Sequence, residues 1–80
     1  MTKTLTQDVF KNAPEWVRSA AVDEDGVANY FSVDSEHLLA GKTATGGMWL
    51  FISTKLEHKF QRISGGYDTT NWQHSAIDRE

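Results

Sequence analysis

Three short stretches of this chain carry residue types that could do chemistry. The first is Asp23-Glu24-Asp25-Gly26 in "AVDEDGV". Carboxylates close to a glycine are the raw material of a calcium loop. An EF-hand needs oxygen ligands at positions 1, 3 and 5, glycine at 6 and glutamate at 12. With Gly26 at position 6, position 1 is Ala21 and position 12 is Ser32, so the pattern fails at both ends. The second is Gly41-Lys42-Thr43, the close of a phosphate loop. The glycine such a loop needs five residues before Gly41 is Glu36 instead. The third is the pair His74-Ser75. Nucleophilic catalysis needs a base facing the hydroxyl, and adjacency in sequence does not supply that. His37, His58 and His74 are too far apart for a helical metal pair. There is no cysteine, so thiolate zinc sites and disulfides are excluded. The residues point to no enzyme and no cofactor.

Two further sets suit binding rather than catalysis. Lys55, Lys59 and Arg62 lie near Phe60 and Tyr67, and basic and aromatic groups on a sheet can hold single-stranded nucleic acid. The alternative is a solvated face over an aromatic core, which the net charge of −3 favours. Residues 1–40 hold three Lys/Arg against seven Asp/Glu, and residues 41–80 hold five against four. Nucleic acid is therefore the lesser expectation as a partner. The other set is Trp16 and Trp72, since tryptophan dominates interface hot spots. Trp49 sits in the most apolar run and is expected in the core.

The elements that would position these residues fit one domain of 80 residues. "WVRSAAVD" and "VANYFSV" flank the acidic turn and predict a β-hairpin over residues 17–32, with Asp23 and Asp25 favouring the turn and Gly26 taking a left-handed conformation. Before Pro14, "LTQDVFKNA" predicts two turns of helix capped by Thr6. "DSEHLLAG" predicts one or two more, followed by a loop over "KTATGG". "MWLFI" predicts a strand covered on both faces. Residues 54–64 fit helix or strand, with a strand over about 58–63 preferred. "YDTTNWQHSAI" predicts a single helical turn carrying Trp72. The expected fold is α+β: a small antiparallel sheet of three or four strands with short terminal helices. Its second face is to be closed either by those helices or by another subunit as a homodimer. No apolar run is long enough to span a membrane as a helix and no signal-peptide core is present, so no membrane is expected and the cytoplasm is the default location.

Pro14-x-Trp16, Ala21-Val22-Asp23-x-Asp25-Gly26 and Trp72-x-x-Ser75-x-x-x-Arg79 together resemble a loose group of small tailed-phage and prophage proteins. The resemblance covers most of residues 13–79 and departs at "SEHLLAGKTATGG". It implies an accessory protein of the bacterial host cytoplasm that binds a host or phage protein. It carries over no catalytic or ligand-binding residue.

Overall fold

The computed structural model describes residues 3–44 and 46–80. Six strands make two antiparallel sheets. β1 (Ser19–Val22), β2 (Ala28–Phe31), β5 (Phe60–Ser64) and β6 (Ile77–Asp78) form a four-stranded sheet in the order β5-β2-β1-β6. β3 (Leu38–Thr43) and β4 (Gly46–Phe51) form a separate two-stranded ribbon. Three 3-10 turns, Gln7–Phe10, Ser35–His37 and Trp72–His74, are the only helical segments among the described residues. The fold is therefore mainly β, not α+β.

The expected helices fail for local reasons. The segment before Pro14 is too short to offset helix nucleation without strong capping, and Thr6 makes no side-chain cap bond. Its amides close 3-10 turns instead, Val9 N–H on Thr6 O at 3.0 Å and Lys11 N–H on Asp8 O at 3.1 Å. In "DSEHLLAGKT" only Ser35–His37 turns. From Leu38 the chain extends, because a complete partner strand lies opposite: Leu38 faces Phe51, Ala40 faces Trp49 and Lys42 faces Gly47. The loop expected over "KTATGG" is thus mostly the closed end of a hairpin, with Thr45 outside the described residues. The strand expected over residues 58–63 runs Phe60–Ser64 and pairs with β2.

The hairpin of β1 and β2 is present in the expected place, with Ser19 opposite Phe31 and Val22 opposite Ala28. Every residue of β1 is buried, because both faces of the sheet are covered. On one face the N-terminal segment lays Phe10 and Val17 against Ala20, with Leu5, Val9, Trp16, Tyr30 and Ile77 around them. On the other the ribbon lays Leu38, Trp49 and Phe51 against Ala21, Phe31 and Val33. The small side chains of Ser19, Ala20 and Ala21 let both layers approach. Ser19, fully buried, donates its hydroxyl to Val33 O at 2.6 Å, and among the described residues no buried side-chain nitrogen or oxygen lacks a partner.

The terminal residues close the structure. Arg79 donates to three carbonyls of the N-terminal segment, Pro14 O at 2.8 Å, Val17 O at 3.2 Å and Phe10 O at 3.4 Å. Ser75 accepts from Val22 N–H at 2.9 Å and donates to Trp72 O at 2.7 Å. No helix among the described residues is long and apolar enough to cross a membrane.

Candidate functional site

The acidic turn has a structural task. Asp23 N–H donates to Val27 O at 2.9 Å and Gly26 N–H to Asp23 O at 3.0 Å, and Gly26 sits at φ +86°. Asp25 accepts from Val27 N–H at 3.0 Å, the local bond that favours aspartate in such turns. Asp23 and Glu24 reach across to the free edge of β4. Asp23 Oδ1 accepts from Trp49 N–H at 3.0 Å, and Glu24 Oε1 accepts from Gly47 N–H at 3.4 Å. Glu24 N–H in turn donates to Gly47 O at 3.1 Å. The tip of one hairpin thus satisfies the edge of the other, a link that spacing within "DEDG" could not reveal. Partial burial pushes the Asp23 carboxyl above the usual carboxylate range, against the lowering effect of the Trp49 amide, and the neighbouring Asp25 charge adds to the rise.

The other chemical motifs are dispersed. Lys42 lies on β3 with its ammonium 3.5 Å from Glu24, far from the strand-to-helix turn a phosphate loop requires. The His58 ring stacks on Phe51 with centroids 4.5 Å apart, and its Nε2 hydrogen-bonds Ser53 O. His37 pairs with Glu36. Among the described residues no three His, Cys, Asp or Glu side chains converge as a metal site. The Ser75 hydroxyl lies within hydrogen-bond distance of two backbone carbonyls, Trp72 O at 2.7 Å and Val22 O at 3.2 Å.

Of the two tryptophans singled out as partner anchors, Trp72 is buried to 6% exposure. Its indole lies against Gly47, where a Cβ would stand 2.6 Å from Cη2 and closer still to Cζ2. It is part of the interior. Trp16 is half-buried, packs beside Phe10 and Val17, and carries the Lys59 ammonium 4.5 Å from its ring centre.

The basic and aromatic set is not brought to one surface. Register places Phe60 opposite Phe31 and Arg62 opposite Asn29, on the ribbon side of the sheet. Lys59 instead covers Trp16 on the opposite side. Tyr67 lies beyond the strand, bridged to Lys3, whose ammonium sits 4.7 Å from its ring. Lys55 is exposed in the connection between β4 and β5.

A different surface is assembled, one that no sequence motif marked. On the outer face of the ribbon Leu39 stands opposite Leu50, with Met48 and Ile52 following on the same side. All four are exposed, Leu39 to 56% and Ile52 to 53%. The ribbon covers only part of the four-stranded sheet. Beside it an open groove of about 180 Å³ is lined by Asn29, Phe31, Met48, Leu50, Phe51 and Phe60, the last 65% exposed. The signal that could have located it is the absence of polar alternation in "MWLFI": an apolar residue at every position requires either two covered faces or an exposed apolar one.

Comparison of the chain with known protein families, curated proteins and solved structures finds no match.

Proposed function

We propose that this protein acts by binding another protein, without chemistry of its own, as a phage- or prophage-encoded accessory protein working in the cytoplasm of a bacterial host. The observation that supports a binding role is the outer face of the ribbon, where Leu39, Leu50 and Ile52 are exposed side by side. Contiguous apolar surface on a small domain is costly to leave in water and marks interaction sites. The phage origin rests on the resemblance of the Pro14–Trp16, Asp23–Gly26 and Trp72–Arg79 motifs alone. A nucleic-acid role is the weaker alternative, because Lys59 lies on the opposite side of the sheet from Phe60 and Arg62.

Affinity capture from a bacterial lysate, run in parallel with a Leu39→Asp, Ile52→Asp double variant, tests this reading. The expected result is a captured protein that the folded double variant no longer retains. Identical capture by both proteins would overturn the assignment of the surface. Oligonucleotide binding that falls steeply with salt would instead favour the nucleic-acid alternative.

A further inference from the structure

The molecule caps two of its strand edges with its own side chains. The main-chain groups of Asp78 and Glu80 that point away from β1 both meet the Gln7 amide: Gln7 Nε2 donates to Asp78 O at 2.7 Å, and Glu80 N–H donates to Gln7 Oε1 at 3.2 Å. The outer edge of β4 is met in the same way by Asp23 and Glu24. β3 carries Lys42 on its edge, a residue type that discourages further pairing. β5, at the end of the four-stranded sheet, has no such cap. Ser32 N–H donates to Lys59 O at 2.9 Å, which makes that pair a hydrogen-bonded one. Bonded and non-bonded pairs alternate along an antiparallel ladder. Tyr30 with Gln61 is therefore the next bonded pair, and the main-chain groups of Phe60 and Arg62 point outward. Among the described residues nothing bonds them, and Phe60, Gln61 and Arg62 are all exposed. The connection before β5 is drawn inward, with Glu57 O held by the Ser32 hydroxyl at 2.7 Å and the His58 ring stacked on Phe51.

An open edge of this kind is matched by an extended strand, and β5 matches itself. Place a two-fold axis at Gln61, perpendicular to the sheet. Phe60 of one copy then stands opposite Arg62 of the other, and each such pair exchanges two main-chain hydrogen bonds. The axis preserves the faces of the sheet, so each Phe60 ring lies beside the other copy's guanidinium as a cross-strand cation–aromatic pair. On the opposite face the two Gln61 side chains meet at the axis, where an amide both donates and accepts. A two-fold contact requires one patch to be its own complement in this manner. The pairing also ends at two copies, because the far edge of the sheet, β6, is closed by Gln7. We propose that two copies of this chain pair antiparallel through β5, with Gln61 on the axis, into one continuous sheet. The contact uses none of Leu39, Leu50 and Ile52, so it does not depend on the binding role proposed above.

Sedimentation equilibrium on the full chain, joined to amide hydrogen exchange at the same concentrations, tests the proposal. The wild type is expected to be dimeric at high micromolar concentration, with the Phe60 and Arg62 amides protected there and exchanging freely on dilution. The Gln61 amide, which faces β2, is expected to stay protected throughout. Arg62→Pro removes an outward N–H at a position where an edge strand accepts proline, and is expected to sediment as a folded monomer. Gln61→Lys sets two ammonium groups against each other at the axis and is expected to weaken the dimer at least several-fold; being an exposed side-chain change, it decides the matter if the proline variant does not fold. A wild-type protein that stays monomeric throughout would overturn the proposal. So would a dimer in which the Phe60 and Arg62 amides exchange freely, a folded Arg62→Pro protein that remains dimeric, or a Gln61→Lys dimer as tight as the wild type. Loss of capture by the Leu39, Ile52 variant with its dimer intact, and of the dimer by Gln61→Lys with its capture intact, keeps the two proposals separate.

Discussion

The two hairpins of this molecule reverse what their composition suggests. β1 reads Ser-Ala-Ala-Val and is buried at all four positions, while "MWLFI" in and after β4 is far more apolar yet leaves Met48, Leu50 and Ile52 in solvent. The difference lies in what each strand has room for. β1 is at the centre of the sheet with a layer on either side, and only small side chains fit between Phe10 and Val17 on one face and the ribbon on the other. β4 belongs to a ribbon with one neighbour and one covered face. Apolar content measures the free energy available from burial. It does not say whether a second layer exists to realise it.

The sharpest way to break this contrast is at Gly47, a buried position of the ribbon. Gly47→Ala drives a methyl group into the Trp72 indole, and overpacking of this kind costs about 1–3 kcal/mol. Urea denaturation would measure it. Adding Trp72→Phe, which removes the ring atoms that collide, should make the pair of substitutions less than additive. A full additive loss would mean that the two residues do not touch.

Next in size is Gly26→Ala in the turn between β1 and β2. The residue lies at φ +86°, and a Cβ there would stand 3.1 Å from Tyr67 O. The expected loss is about 1 kcal/mol or somewhat more, also read by denaturation.

A smaller effect separates the two carboxylates that tune these turns. The Asp23 carboxyl is raised, chiefly by burial. Its stabilising contribution is fully present below its unfolded value and is lost as pH rises through the folded one. The Asp68 carboxyl is lowered, chiefly by the Thr70 amide, which donates to it at 2.9 Å. Its contribution is present above the unfolded value and is lost as pH falls through the folded one. Side-chain carboxyl shifts followed by NMR through the acid range should place Asp23 above and Asp68 below the normal carboxylate midpoint. The reverse order would contradict the burial of the Asp23 carboxyl.

The smallest effect is expected on the ribbon's outer face. Leu39→Ser should change stability by no more than about 0.5 kcal/mol, as for exposed positions generally, whereas any polar substitution at Ala20 should be severe. A large loss at Leu39 would show that the outer face is covered by something the monomer does not supply.

These contrasts also mark what was legible beforehand. The hairpin of β1 and β2 could be read because its signal is local: two β-prone arms and a glycine at the one position that needs a positive φ. β3 could not, because Leu38, Leu39 and Ala40 favour helix as readily as strand, and the partner that decides the matter is β4, the next strand in the chain. The motif residues Trp72, Ser75 and Arg79 were visible as a pattern. Their task, closing the interior and tying down the first segment, depends on neighbours 23 to 69 positions away. The apolar surface was hidden for the opposite reason. Nothing in a run of apolar residues says which of them the fold will leave uncovered.

The clamp formed by Arg79 has a consequence for the order in which the chain can mature. A ribosome delivers residues from the first onward, and domains settle as units when their last necessary contact becomes available. Here β6 supplies the outer neighbour of β1, and the Arg79 guanidinium supplies the donors for three carbonyls near the start. Until position 79 has cleared the exit tunnel, β1 presents an open edge and the segment from Phe10 to Val17 has no fixed seat. Acquisition of the native state thus waits for position 79 to emerge, and during that interval the buried strand of the finished protein is its most exposed template for mispairing.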